Sequence, residues 1–260
     1  MAGTTHSELG SAADRVRAMF DPERVPAVIG TARGYFDLLA EDAPEPGLGQ
    51  SVMEGWFYPR IYRYWRPLVG RVAAGPRNLL DPRSESARLM ARLAPQVGDA
   101  VLDIGCGPGN FTDSIAREVG PDGLAVGLDI SATMLAQAVR AGTPANTVYV
   151  RGDAHALPFP DAAFDAVSCF TALFLMPEPF RAIDEMVRVL EPGGSIAVLT
   201  SCASRWPLLR PAERLAERVA DVTVFGRTEI VDAFEERGVA GLTQEFAGVA
   251  QIVAGRLPLS

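Results

Sequence analysis

From about residue 99 onward, the chain alternates short aliphatic runs with longer segments of helical periodicity. The five runs span residues 99–104, 124–130, 147–152, 164–170 and 195–200. Helical patterns lie between them at about 110–119, 132–140 and 178–190. Continuous apolar strands that alternate with helices are typical of a parallel sheet covered on both faces. The pattern therefore predicts a doubly wound α/β fold.

Weaker patterns extend this sheet toward the C-terminus. A helix is predicted near residues 227–237, ending at Gly238, and the apolar alternation of residues 240–254 predicts two last strands. We expect these two strands to form an antiparallel pair at the sheet edge. The segment Glu191–Gly194, with sequence EPGG, predicts a turn that closes the preceding helix. The expected architecture is a Rossmann-like, mostly parallel sheet of seven strands.

The first 98 residues differ from the rest, because they consist mostly of helical patterns broken by Pro and Gly. The turn-rich segment Ala43–Gly49 separates two helical stretches, and a third helix at about 84–93 leads into the sheet. We predict two units, a helical N-terminal extension or lid of residues 1–98 and an α/β domain of residues 99–260.

Charge and residue usage exclude several kinds of site. The 260 residues include 24 basic and 32 acidic side chains, so the net charge of −8 argues against a general polyanion binder. Every basic residue is arginine, which excludes a Schiff-base lysine and a phosphate-loop lysine. The three cysteines, Cys106, Cys169 and Cys202, are too few and too widely spaced for a disulfide framework or a four-thiolate zinc site. We expect no metal.

The sequence also predicts a cytoplasmic protein. The first twenty residues are interrupted by charged side chains and lack the apolar core of a signal peptide. The most apolar stretch, Ala166–Met176, is far shorter than a membrane span. We therefore expect no integral membrane association, and the sequence leaves the oligomeric state open.

The most informative segment is Val101–Asn110, an apolar strand that runs into three alternate glycines and then into a helix. Glycines let the backbone adopt positive φ and approach a ligand closely. A tight turn alone needs only one or two of them. A dinucleotide-binding loop requires G-x-G-x-x-G, but Asn110 occupies the last glycine position, so the spacing argues against NAD.

The pattern D-x-G-x-G-x-G, formed by Asp103, Gly105, Gly107 and Gly109, resembles the first motif of class I S-adenosylmethionine-dependent methyltransferases. Asp129 ends the second strand, where family members place a carboxylate on the cofactor ribose. The segment 151–165 matches the same family. So does the later succession of strand, loop and helix that ends in LEPGG. The resemblance covers about residues 95–200 and is greatest to the small-molecule type of the ubiquinone and menaquinone C-methylating enzymes (methyltransferase type 11).

The resemblance implies an S-adenosylmethionine site in which Asp153 bonds the adenine amino group and Ala154 gives a backbone contact. The cofactor-binding residues it implies are Asp103, Gly105, Cys106, Gly107, Gly109, Asp129, Ile130, Met134, Gly152, Asp153, Ala154, Cys169 and Phe170. The implied reaction is methyl transfer to O, C or N of a small, apolar or aromatic metabolite, leaving S-adenosylhomocysteine. An RNA methyltransferase and an S-adenosylmethionine-binding protein without methylating activity are the alternatives.

The sequence assigns no catalytic base. Many relatives carry a His-rich stretch after the fourth strand, whereas residues 170–176 here are apolar, which suits either an apolar acceptor or core packing. Of the two histidines, His6 lies near the N-terminus and His155 follows Asp153. The candidates for a base are His155, Tyr58 and Tyr62.

The segment Trp56–Arg77 combines five arginines and six aromatic residues with no acidic residue. On a helix, most of its aromatic side chains fall on one face. It is either a stripe packed on the domain with a solvated arginine face, or a lid that shapes the acceptor pocket. A nucleic-acid surface is a third possibility, which an acidic protein supports poorly, and we expect no nucleic-acid partner. A second substrate-facing element, or an ordinary connection, follows the fifth strand around Trp206.

Overall fold

The computed structural model describes residues 5–25, 31, 33–39, 82–206 and 222–259. The helices of this part are α1 (Thr5–Met19), α2 (Pro82–Leu93), α3 (Asn110–Val119), α4 (Ala132–Ala141), α5 (Pro179–Arg188) and α6 (Glu229–Glu236), with a 3-10 helix at Leu173–Leu175. The strands are β1 (Phe36–Asp37), β2 (Ala100–Ile104), β3 (Leu124–Asp129), β4 (Thr147–Arg151), β5 (Phe164–Phe170), β6 (Leu190–Ser201), β7 (Ala240–Ala247) and β8 (Ala250–Arg256). None of these helices is both long and apolar enough to cross a membrane.

All the strands belong to one sheet, in the order β1-β4-β3-β2-β5-β6-β8-β7. Neighbouring strands from β1 to β6 pair in parallel, whereas β8 is antiparallel to both β6 and β7. The predicted doubly wound fold and the antiparallel pair at the edge are confirmed. The chain leaves β2 toward β3 on one side and later returns to β5 on the other. The switch point of the sheet therefore lies between β2 and β5.

The predicted number of seven strands is wrong, because the described residues form eight. The additional strand is β1, which pairs in parallel with β4 through Phe36↔Val150 and Asp37↔Arg151. Two residues are too short to show an alternating pattern, and they lie in a region whose other patterns are helical. No local signal could identify this strand, since its structure depends on a partner far along the chain.

Helices cover both faces of the sheet. Strand side chains alternate between the faces, so Leu102 and Ile104 contact one apolar cluster while Val101 contacts another. The larger cluster includes side chains of α1, α5 and α6. Side chains of α2 and α3 pack on the opposite face, where α4 joins Tyr149 in a third cluster. The near-continuous apolar runs of the sequence are thus explained by strands that are buried on both faces.

The EPGG segment is part of strand β6 and not the predicted turn. Phe164 pairs with Leu190 and Ala166 pairs with Ser195, so the residues between Leu190 and Ser195 form a bulge in the ladder. Gly193 has φ 90°, and its N–H donates to the carbonyl of Leu257 at 2.7 Å. Because a neighbouring segment satisfies this backbone group, the chain continues as an irregular strand.

Candidate functional site

The loop between β2 and α3 lies at the carboxyl end of the sheet, beside its switch point. Its three alternate glycines all have positive φ: 67° at Gly105, 54° at Gly107 and 79° at Gly109. The N–H groups of Gly105 and Cys106 donate to the carbonyl of Leu128 at 2.8 and 3.1 Å. These bonds fasten the loop to the end of β3, at the edge where open α/β sheets bind ligands.

Two of these glycines have different surroundings. A Cβ atom on Gly105 would overlap the side chain of Ala172, so close packing against the segment after β5 requires glycine there. A Cβ atom on Gly107 would meet no atom of the described residues within 4 Å. Packing explains Gly105, whereas the space in front of Gly107 is suited to a ligand that approaches the backbone.

Asp103 is buried at the base of the glycine loop, with 2% of its surface exposed. Thr112 donates its hydroxyl to Oδ2 at 2.7 Å, and Ser168 donates to Oδ1 at 2.9 Å. Burial raises the pKa of Asp103 to about 6, although both hydrogen bonds act to lower it. The carboxyl group therefore ties β2, α3 and β5 together.

Asp129 stands at the carboxyl end of β3 and contacts the glycine loop. Its Oδ2 accepts from the N–H of Gly107 at 2.8 Å, and its Oδ1 accepts from the N–H of Ser131 at 2.8 Å. The Ser131 hydroxyl in turn accepts from the N–H of Met134 at 3.3 Å and caps α4. Ile130 and Met134 are half-buried beside this carboxylate. The structure thus brings together the motifs that follow β2 and β3.

Asp153 follows β4 and pairs with His155. Asp153 Oδ1 accepts from the N–H of His155 at 2.9 Å and lies 2.7 Å from His155 Nδ1. The hydrogen bond from His155 lowers the pKa of Asp153 below its usual value. His155 Nε2 is buried and has no hydrogen-bond partner within the described part of the chain. Gly152 and Ala154 are buried on either side of Asp153.

Helix α5 holds the loop that follows Asp153. The N–H of Leu157 donates to Glu185 Oε2 at 2.7 Å, and Arg188 donates to the carbonyl of Phe159 at 2.8 Å. Leu157 and Phe159 are fully buried in the main core. The sequence motif LPF therefore combines two apolar anchors with backbone groups that are satisfied by charged side chains of α5.

The predicted site residues at Cys106, Cys169 and Phe170 are mostly buried. Burial raises the pKa of Cys106 well above its ordinary value and that of Cys169 to about 12, so both thiols are protonated at neutral pH. Cys169 has no exposed surface. Phe170 packs edge-to-face on Phe111 with ring centroids 4.5 Å apart. These side chains are packed in the apolar clusters on the two faces of the sheet.

An apolar segment, residues 170–176, follows β5 at the same edge. Leu173 is buried, whereas Phe174 and Met176 are only partly buried. Thr171 has φ 63°, an uncommon conformation for a β-branched residue, and its N–H donates to the carbonyl of Leu199 at 2.8 Å. The segment is thereby held between the glycine loop and the end of β6.

The remaining predicted elements are described only in part. Tyr58, Tyr62 and the whole segment Trp56–Arg77 lie outside the described residues, as does the part of the second substrate-facing element beyond Trp206. Trp206 itself is 58% exposed. Within the ranges that the structure describes, no group of three or more His, Cys, Asp or Glu side chains is arranged to hold a metal ion.

Sequence reasoning missed the groups that fix the motif residues in place. Thr112 and Ser168 bond Asp103, and Arg151 bonds both Asp37 and the carbonyl of Ile130. Thr112 lies three residues after the last loop glycine, so its position in the first helical turn was a usable signal. Asp37 had no such signal, because it reaches Arg151 only through the pairing of β1 with β4.

Comparison with known proteins agrees with this geometry. A family model described as a methyltransferase domain matches residues 102–198. The demethylmenaquinone methyltransferase of Listeria monocytogenes is 32% identical over 173 residues, which cover 65% of this chain and 71% of that protein. This similarity extends well beyond the motif segments.

Solved structures share the fold. Phosphoethanolamine N-methyltransferase 2 of Haemonchus contortus has a TM-score of 0.64 at 16% identity, covering 83% of this chain and 61% of that chain. Geranyl diphosphate C-methyltransferase of Streptomyces coelicolor has a TM-score of 0.62 at 16% identity, covering 83% of this chain and 100% of that chain. Both of those proteins were solved with S-adenosylhomocysteine. The chain belongs to the S-adenosylmethionine-dependent methyltransferase family.

Proposed function

We propose that this methyltransferase acts on a small, apolar or aromatic metabolite. The observation that carries the proposal is the apolar segment 170–176, which lies against the glycine loop where Ala172 meets Gly105. An apolar border of this kind favours an acceptor with a large apolar surface. Two similar proteins are named demethylmenaquinone methyltransferase and geranyl diphosphate C-methyltransferase, and both names support a small-molecule acceptor.

The proposed cofactor site consists of the residues that the motifs indicated. Asp129 would accept the ribose hydroxyls, and Asp153 with the Ala154 backbone would hold the adenine. The space in front of Gly107 and the buried Nε2 of His155 fit a ligand that brings polar groups to this edge. The complete proposed set is Asp103, Gly105, Cys106, Gly107, Gly109, Asp129, Ile130, Met134, Gly152, Asp153, Ala154, Cys169 and Phe170.

The proposed mechanism relies mainly on positioning. When bound, S-adenosylmethionine supplies a methyl group that is already activated by the sulfonium. The chain therefore needs to orient the acceptor nucleophile in line with the methyl group and to exclude water. The apolar segment after β5 contributes to both. The proposal includes no metal ion.

A phenol or enol acceptor also needs a base to take its proton. His155 is the described candidate, because Asp153 binds its Nδ1 while its buried Nε2 has no hydrogen-bond partner among the described residues. Tyr58 and Tyr62, outside the described residues, remain candidates on sequence grounds. His155→Gln distinguishes them: loss of transfer with retained cofactor affinity supports a base, whereas weaker cofactor binding places His155 in the adenine loop.

Two experiments test the proposed function. Calorimetric titration against S-adenosylmethionine, S-adenosylhomocysteine, NAD and ATP should give binding with the first two ligands only. The protein is then incubated with labelled donor and a metabolite extract of the native cell, and the products are identified by mass spectrometry. Label in a small molecule is expected. In a parallel incubation with total RNA of the same cell, label in RNA that disappears after ribonuclease treatment would contradict the proposed acceptor class.

A further inference from the structure

The N-terminal segment 33–39 is fastened to the elements that flank the candidate site. Tyr35 and Phe36 are 3% and 2% exposed. The N–H of Leu38 donates to the carbonyl of Arg151 at 3.0 Å, and Gly34 lies directly against Val139 of α4. The segment therefore contacts β4, which precedes Asp153, and α4, which follows Asp129.

Arg151 joins this segment to the end of β3. Its Nη1 lies 3.2 and 3.3 Å from the two carboxylate oxygens of Asp37, and its Nε donates to the carbonyl of Ile130 at 3.1 Å. The Arg151 and Asp37 side chains are only 18% and 21% exposed. Because a guanidinium group is planar and rigid, fixing one of its edges on Asp37 also fixes the direction of Nε–H.

The carbonyl that Arg151 holds belongs to the turn carrying Asp129. On the other side, Arg151 is followed directly by Gly152 and Asp153, and the N–H of Gly152 donates to the carbonyl of Asp129 at 3.2 Å. One side chain thus links the two backbone segments that are proposed to hold the ribose and the adenine. A shift of either segment by a fraction of an ångström would misalign the carboxylates.

We infer that Asp37 and Arg151 are positioning residues for the nucleoside end of the cofactor. Strand β1, which is distant from the motifs in sequence, would thereby contribute to cofactor affinity. This inference rests on the proposed cofactor site. Asp37 acts through Arg151, and Arg151 acts through the backbone at Ile130. Neither side chain is a catalytic residue.

The test uses the full chain with two mild substitutions. Asp37→Asn keeps the packing and removes the charge, whereas Arg151→Lys keeps the charge and removes the Nε–H that bonds Ile130. Arg237→Lys is the matched control, because Arg237 is 21% exposed and its Nε lies 2.6 Å from Asp184 Oδ1 in a pair that joins the α6 end to α5. Calorimetry measures the Kd of each protein for S-adenosylhomocysteine and for adenosine.

Both site variants should bind both ligands about three- to tenfold more weakly, as expected when a charge-assisted hydrogen bond near a ligand is lost. Adenosine affinity should fall by the same factor as S-adenosylhomocysteine affinity, because only the nucleoside end is affected. The loss of binding free energy in the double variant should be smaller than the sum of the losses in the two single variants. The Arg237→Lys protein should keep the parent affinities even if its melting temperature falls.

Parent-like affinity of Asp37→Asn for both ligands would overturn the inference, as would an equal loss in Arg237→Lys. These results leave the proposed function intact, because the parent still binds. A parent protein that binds neither ligand would instead overturn the proposed cofactor site and the inference with it.

Discussion

Two aspartates at the carboxyl ends of adjacent strands have opposite environments. Asp103 is buried and bonded by the hydroxyl groups of Thr112 and Ser168, whereas Asp129 accepts backbone N–H groups beside the glycine loop. Burial disfavours the charged form of Asp103. We therefore expect the two carboxylates to have separable effects, Asp103 on the stability of the fold and Asp129 on ligand binding.

The first prediction concerns the pH dependence of stability. The pKa of Asp103 is raised to about 6 in the folded state from the ordinary value of 3.8, so the folded protein holds this proton more tightly than the unfolded chain. This contribution to stability is fully present below the lower value and is lost as the pH rises through the higher one. Relative to Asp103→Asn, the parent should lose about 2 kcal/mol of unfolding free energy between pH 4 and 7.

Urea unfolding of the two proteins across this pH range measures the difference. Asn keeps the shape of the protonated carboxyl group and can bond both hydroxyl groups, so the variant should fold. Asp122→Asn serves as the control, since Asp122 is exposed. A parent-minus-variant difference that does not change with pH would show that Asp103 does not titrate in this range.

The second prediction concerns Asp129→Ala. The substitution removes the proposed ribose acceptor and also the bond to the N–H of Gly107. Hydrogen bonds to charged groups contribute about 1.5–3 kcal/mol each, so S-adenosylmethionine affinity should fall by about tenfold or more. Calorimetric titration measures this, and circular dichroism checks that the fold survives. Unchanged affinity would exclude Asp129 from the cofactor site.

For these individual residues, the sequence predicted the positions of the carboxylates but not the partners that determine their protonation. Asp103, Asp129 and Asp153 each follow or end an apolar run, which places them at the carboxyl edge of the sheet. The partners of such a side chain can be distant in the sequence, as Ser168 in β5 is from Asp103. The raised pKa of Asp103 arises from tertiary packing that the motif does not encode.

Among the elements, the glycine loop gives the third prediction. Gly107→Ala should cost about 1 kcal/mol of stability, because alanine must adopt the left-handed backbone conformation. It should also weaken cofactor binding strongly, because the added methyl group enters the space in front of the loop. Gly105→Ala should cost about 3 kcal/mol or more, because its Cβ overlaps Ala172. Urea unfolding and calorimetry on both variants measure the contrast. Tight cofactor binding by Gly107→Ala would mean that the ligand does not occupy that space.

Strands β2 to β5 could be predicted within one or two residues because they are short, apolar and buried on both faces. The bulge in β6 could not, since the EPGG sequence favours a turn, whereas in the structure Leu257 accepts from the N–H of Gly193 and donates to the carbonyl of Gly194. Strand β1 could not be predicted either, because it depends on its pairing with β4. Local propensity predicts an element only where no distant partner overrides it.

For the molecule as a whole, the fourth prediction concerns the part of residues 1–98 that lies outside the described ranges. We propose that the helix predicted at Trp56–Val72 covers the donor site and determines acceptor choice. Tyr62→Phe and Arg66→Gln keep most of the packing volume, so both variants should retain the melting temperature and donor affinity. Methyl transfer to the native acceptor should fall several-fold. Parent rates and parent acceptor preference in both variants would favour simple packing of the aromatic stripe.

The fifth prediction is that the activity does not depend on a metal ion. Methyl transfer assayed in excess EDTA should proceed at the untreated rate, because positioning of an activated methyl group needs no Lewis acid. An inhibition by EDTA that added Mg²⁺ or Zn²⁺ reverses would contradict this. The labelled-donor assay described above serves as the measurement.

The pairing of β1 with β4 also constrains how the protein is made. Asp37 and Arg151 are 114 residues apart, so a ribosome adding about 5–20 residues per second needs roughly 6–23 s between them. During this interval Phe20 and Phe36, which pack edge-to-face at 5.3 Å in the finished core, have no sheet to cover. This segment is thus synthesised early and docks late, so its apolar side chains lack their final packing partners until β4 has been made.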